Sequence, residues 1–177
     1  MKQLILLIFG FVLSINLIAQ ESESLLVSKI DKIANDIDNN SKYQRLHEDG
    51  ELTKKKLLFF EKHVGGFYSN VVYSDSLILS TENEFFYTKQ SRTKNEKFYF
   101  RGHRLIKYTE KVFVNSILQR SIVAYFDNER LVKVEKEIHD KFLFDLEKQK
   151  TIIEKSKSEI SLRQMTTCEW KRLFGNN

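Results

Sequence analysis

Four histidines, a single cysteine and 24 acidic residues are the groups in this 177-residue chain that can hold a metal or move a proton. His47, His63, His103 and His139 stand far apart, and no two share the i, i+4 spacing of a helix or the i, i+2 spacing of a strand that turns two imidazoles toward one ion. His139-Asp140 is a local pair, but neighbours at i and i+1 point in different directions, so it reads as the polar start of a helix. Cys168 has no second cysteine to pair with and no histidine nearby to activate it. It reads as a buried small hydrophobe, with pairing between chains as the alternative. No Gly-x-Ser-x-Gly elbow is present, and Gly65-Gly66 is not followed by the Gly-Lys-Ser/Thr of a phosphate loop. Carboxylate pairs occur only within charged stretches, which read as solvated faces. The sequence therefore nominates no catalytic residue, no metal ligand and no cofactor.

Aromatic residues offer more. Phe85-Phe86-Tyr87 and Phe98-Tyr99-Phe100 flank the polar stretch Ser91–Asn95 and are aromatic at consecutive positions, so both faces of that hairpin are apolar. Such a strand must be covered on both sides or left open to a ligand. Phe85, Tyr87, Phe98 and Phe100 are thus candidates to line a groove for a lipid, peptide or glycan. The alternative is that they are core residues beneath a helix.

These side chains need a scaffold. Leu26, Ile30, Ile33 and Ile37 recur at helical spacing and predict an amphipathic helix over 22–38, followed by a polar connecting loop over 41–52. From about residue 54 the period changes to 2. Leu58 and Phe60 fall on one face of a strand and Leu57 and Phe59 on the other, with a short helix over 53–64 as the competing reading and Gly65-Gly66 as a turn. Lys54-Lys55-Lys56 beside this run reads as a gatekeeper against strand aggregation. Further on, Ile106, Tyr108 and Val112 alternate with Lys107, Thr109 and Lys111, as expected of one apolar and one polar face. After Glu135 the spacing of Ile138, Phe142, Leu146, Ile153 and Ile160 predicts a long helix over about 136–160 and a shorter one to about 174, with Ser156, Ser158 and Ser161 as weak points. A sheet flanked in sequence by amphipathic helices is α+β, here an antiparallel meander of six to eight strands over about 54–135 with the helices packed across it. Residues 20–177 form one such domain.

The hairpins repeat. Tyr125-Phe126-Asp127-Asn128-Glu129-Arg130-Leu131-Val132-Lys133-Val134 matches Tyr99-Phe100-Arg101-Gly102-His103-Arg104-Leu105-Ile106-Lys107-Tyr108 at an offset of 26, and Val72–Leu79 is a shortened copy. This aromatic, polar turn, Leu, apolar pattern resembles small secreted bacterial proteins of unknown function over about residues 67–136. The resemblance brings no catalytic residues. His103 and Glu129 stand at turn positions where such hairpins usually carry Gly or Lys.

The first residues bear on destination. Met1-Lys2-Gln3, the apolar run Leu4–Leu17 and Ile18-Ala19-Gln20 have the three regions of a secretory signal peptide, resembling those of bacterial envelope proteins, with cleavage between Ala19 and Gln20. The run is short for a membrane-spanning helix, which needs about 20 apolar residues, and a retained anchor is the alternative. Processing removes Lys2, so the net charge of +5 becomes +4, from 28 cations against 24 acids. Lys and Glu alternate rather than collect on one face, which argues with export against a nucleic-acid partner. With 41% hydrophobic residues and 22 aromatics, the composition excludes a disordered chain and a disulfide-stapled miniprotein. The reading is an exported protein, periplasmic or extracellular, that binds an envelope protein without catalysing a reaction. A carrier of a lipid or other small hydrophobic ligand is the alternative, and a hydrolase of unrecognised type the third.

Overall fold

A computed structural model describes residues 22–55, 61–75, 77–140 and 142–174. Helix α1 spans residues 22–39. Seven strands follow: β1 Gln44–Lys55, β2 Glu61–Ser74, β3 Leu77–Tyr87, β4 Arg92–Arg101, β5 Arg104–Val114, β6 Ile117–Asp127 and β7 Arg130–Ile138. Helix α2, Leu146–Phe174, closes the order. The strands form one antiparallel sheet in the order β1-β2-β3-β4-β5-β6-β7, so each pairs with its neighbours in sequence. The fold is α+β, a seven-stranded meander with one helix against each face.

Both faces are therefore apolar at the centre. On one, Val27, Ile30, Ala34 and Ile37 of α1 pack on Val72, Tyr99, Ile106 and Tyr125. On the other, Ile152 and Ile160 of α2 pack on Val71, Phe98, Phe100, Tyr108 and Phe126. Burying each of these large side chains is worth about 1.5–3 kcal/mol. The expectation that Ile106 and Tyr108 share a face is corrected: Ile106 faces α1 and Tyr108 faces α2. A β-bulge is the cause. The register shifts between Tyr99 and Phe100, leaving Ile106 as an extra residue on β5, and one extra residue reverses the side chains beyond it.

That bulge recurs. It lies at matching positions in the β2–β3, β4–β5, β5–β6 and β6–β7 hairpins. The pattern repeats every 13 residues, half the offset seen between the two best sequence copies: Phe100, Phe113 and Phe126 precede the turns, and Leu105, Leu118 and Leu131 follow them. Two-residue turns at Gly102-His103, Asn115-Ser116 and Asn128-Glu129 all have positive φ at both positions, the left-handed geometry that matches the twist of the flanking strands. His103 and Glu129 adopt it despite their side chains, at φ 65° and 66°.

Other expectations shift. The segment 41–52 contains most of β1 rather than a loop. It is polar because β1 pairs only with β2 and has an edge strand's exposure. Gly65 and Gly66 lie inside β2, opposite Leu52 and Glu51, and not in a turn. A Cβ on Gly65 would stand 1.7 Å from the Phe86 carbonyl oxygen, so the close approach of β3 requires glycine there. At the other end the helix begins at Leu146, not near 136. Lys136–Ile138 still pair with Ile122–Arg120, because Ile138 and Phe142 carry a helical spacing by coincidence across a strand end. The His139 N–H donates to the Gln119 carbonyl at 2.8 Å beyond the sheet, so His139-Asp140 does not start a helix. Helix α2 passes unbroken through Ser156 and Ser158, whose hydroxyls donate to the carbonyls of Ile153 and Glu154. Lys56, the run Leu57–Phe60, and the Cys168 and Trp170 side chains lie outside the described residues.

Candidate functional site

Of the four aromatic candidates, Phe98 and Phe100 are core residues, fully buried beneath α2. Phe98 packs on Tyr108 at 5.0 Å between ring centroids. Phe85 shares that face half-buried, with the Lys155 ammonium 5.5 Å from its ring. Tyr87 sits apart at the end of β3, opposite Arg92 and Gly65. The four do not form one groove. Ala19 and Gln20 lie outside the described residues.

The histidines are dispersed and exposed. His47 stacks on Tyr68 with its Nδ1 2.6 Å from the phenol oxygen, His63 approaches Glu51 at 3.5 Å, and His139 approaches Glu137 at 3.1 Å. His103 lies beside Gln164. Among the described residues no three His, Cys, Asp or Glu side chains are grouped as a metal site.

A cluster that no local motif announces lies under α2. Glu96 on β4 and Glu110 on β5 are directly opposite each other and are 2% and 0% exposed. The Tyr108 hydroxyl sits between them, 3.0 Å from Glu96 and 2.9 Å from Glu110. Lys94 bridges both carboxylates at 2.6 and 3.1 Å. Arg120 donates to Glu110 at 2.7 Å and to Asp140 at 2.8 Å. From α2, Lys148 reaches Glu110 at 3.3 Å and Lys155 reaches Glu96. Further along the seam Arg163 of α2 pairs with Glu48 and donates to the Ser69 hydroxyl, which donates in turn to Asn83, while the Asn83 amide donates to Glu159. Five carboxylates (Glu48, Glu96, Glu110, Asp140, Glu159) thus face five cations (Lys94, Arg120, Lys148, Lys155, Arg163).

Two carboxylates flanking a phenol and an ammonium would suit proton transfer if a group titrated near neutrality. Here the shifts run the other way. Burial alone would raise the Glu110 carboxyl, but Lys94, Lys148 and Arg120 outweigh it and hold it at about 2. Glu96 is likewise lowered against the effect of burial, by Lys94 and Lys155. Burial and the two carboxylates push the Tyr108 phenol up, and the same carboxylates raise Lys94 in spite of burial. Every one of these groups is fixed in its ordinary charge state. The cluster holds α2 to the sheet.

On the opposite face α1 is held by two matching clamps. Asp31 accepts from Lys107 at 2.7 Å and from the Tyr125 hydroxyl at 3.3 Å. Two turns later Asp38 forms an ion pair with Lys97 at 2.8 Å and accepts from the Tyr99 hydroxyl at 2.9 Å. Burial and Asp31 push the Tyr125 phenol up to about 12.

An open cleft of about 480 Å³ lies where α1 meets the β4–β5 and β6–β7 turns. Leu26, Ile30, Ile33 and Ile106 give it an apolar floor, and Lys29, Arg101 and Arg104 stand on its rim with Asp127 and Asn128. No family, curated protein or solved structure matches this chain. The cleft must be read from its own residues. Sequence periodicity gave its floor, since Leu26, Ile30 and Ile33 mark the apolar stripe of α1. Its rim comes from turn residues 72 or more positions away (Arg101 against Lys29), for which no local pattern exists.

Proposed function

We propose that this chain is an exported, non-enzymatic binding protein of the bacterial envelope. One observation carries the reading: the buried carboxylates Glu96 and Glu110 are paired with cations that hold them ionised, whereas the open cleft presents apolar surface beneath cations that, among the described residues, lack a carboxylate partner. The first arrangement stabilises a scaffold and the second suits recognition. The signal-like N-terminus supports export, and among the described residues no helix is long and apolar enough to cross a membrane. Crosslinking in the native host tests the reading, with a reproducible partner or co-purifying ligand expected, and recovery of neither in replicate experiments overturning it. The intact mass of the exported protein tests processing, which is expected to remove residues 1–19.

A second reading, carriage of a small hydrophobic ligand, is favoured by the same cleft. Its site lies between α1 and the hairpin turns rather than at Phe98 and Phe100, which are packed in the core.

A further inference from the structure

We propose that the cleft beneath the N-terminal half of α1 binds a small amphipathic anion, a single anionic head on an apolar chain, with Arg101, Arg104 and Lys29 holding the head. This assignment rests on the binding reading above and specifies its ligand class.

The hairpin repeat supplies an internal control. At the offset of 26, Arg101 and Arg104 of the β4–β5 turn correspond to Asp127 and Arg130 of the β6–β7 turn. Each pair is directly opposed across its turn. Asp127 and Arg130 are an opposite-charge pair, which stabilises a hairpin; Arg101 and Arg104 are like charges, which destabilise one. The fold thus accepts an acid at this position, yet this hairpin carries a second guanidinium. Arg104 is oriented by donating to the Asn128 side-chain oxygen, a neutral acceptor that leaves its charge uncompensated. Among the described residues neither Arg101 nor Lys29 has a carboxylate partner. On the rim three cations face one carboxylate, Asp127, which leaves an excess of two positive charges. An anion placed there relieves the repulsion between the two arginines and gains charge-assisted hydrogen bonds from planar donors.

The floor defines the rest of the ligand. Leu26 and Ile33 are only half-buried by the sheet, so apolar surface of α1 is left uncovered directly beneath the cations. A bare inorganic anion would leave that surface wet, and a neutral lipid would leave the arginines unpaired. The volume of about 480 Å³ falls within the roughly 300–1,000 Å³ of small-molecule sites, enough for a chain and a head but small for a folded partner.

Titration calorimetry on the chain exported with its own N-terminal segment tests this, using dodecanoate and dodecyl phosphate below their micelle concentrations, with dodecanol and dodecyltrimethylammonium as neutral and cationic counterparts. Both anions are expected to bind, about tenfold or more tightly than the other two. Arg101→Asp, which installs the acid of the matching hairpin, is expected to weaken dodecanoate about tenfold or more while leaving the melting temperature unchanged or higher. Lys29→Glu, on the exposed side of α1, provides a second variant with the same expected direction, and Lys111→Asp on the exposed surface of β5 is expected to change nothing. Equal binding of the alcohol, or unaltered dodecanoate affinity in both Arg101→Asp and Lys29→Glu, overturns the proposal. So does sedimentation with phosphatidylglycerol vesicles without binding of the free anions, which would assign the cations to a bilayer surface. Recovery of a crosslinked partner by a protein that binds none of these probes overturns the ligand assignment alone and leaves the binding reading standing.

Discussion

Glu110 is fully buried and touches three cations and a phenol, so its charge is required by everything around it. Removing one member of such a cluster leaves the others buried without a counter-charge, which costs more than the cluster contributes relative to an apolar core. Glu110→Gln is therefore expected to destabilise the protein by about 3–5 kcal/mol in chemical denaturation. The same residue sets an acid limit. Its carboxyl is held at about 2 in the folded protein, below its usual 4.5, so the unfolded chain takes up its proton first as pH falls. The stabilisation it provides is complete above about 4.5 and is lost as pH falls from there to about 2. Thermal melts across that window should show a steep decline that is shallower in Glu110→Gln. Gly65 is a second point of sensitivity. Gly65→Ala puts a methyl against the Phe86 carbonyl, backbone that cannot rotate away, and is expected to cost about 1–3 kcal/mol or more by the same measurement.

At the level of elements, the two helices are fastened by different means. Helix α1 docks through an apolar stripe edged by the Asp31 and Asp38 clamps. Helix α2 has Ile152, Ser156, Ile160 and Arg163 on its buried side, so half of that stripe is polar and matches the buried acids and amides of the sheet. This explains why the expected apolar stripe through Leu146 failed: Leu146 is 74% exposed. The hairpins are set by their turns. Ser116 occupies a left-handed position at φ 65° in an exposed turn after Asn115, where glycine carries no Cβ penalty. Ser116→Gly creates the Asn-Gly pair that such turns favour, and should raise stability by about 0.5–1 kcal/mol, seen as a higher denaturation midpoint.

For the molecule as a whole, the meander places the best-protected backbone at its centre. β4, β5 and β6 are hydrogen-bonded on both sides and covered by both helices, whereas β1 and β7 each pair on one side only. Amide hydrogen exchange is expected to be slowest for Phe98–Phe100, Leu105–Tyr108 and Ala124–Phe126, and fastest among strands for the exposed edge strands β1 and β7. Uniform protection across all seven strands would contradict this ordering. β7 also manages its free edge with Lys133, Glu135, Lys136 and Glu137, charges that oppose pairing with a second chain.

Short-range patterns in the chain encode its elements and their order. The stripe of α1, the alternation of aromatic strands with polar turns and the resulting α+β meander were all legible, because period and turn chemistry act over a few residues. Three things were decided only in the folded molecule. The bulges chose which face each strand residue joins, and a single extra residue in a strand leaves no mark on composition. The ionic seam joins Lys148 to Glu110 and Lys155 to Glu96 across 38 and 59 residues, so its members read singly as solvated charges until burial brings them together. The charge excess at the cleft depends on Arg101 and Arg104 meeting across a turn beneath a helix more than 60 residues earlier in the chain. Electrostatic interactions follow distance in space, and that distance is fixed only when the sheet has formed.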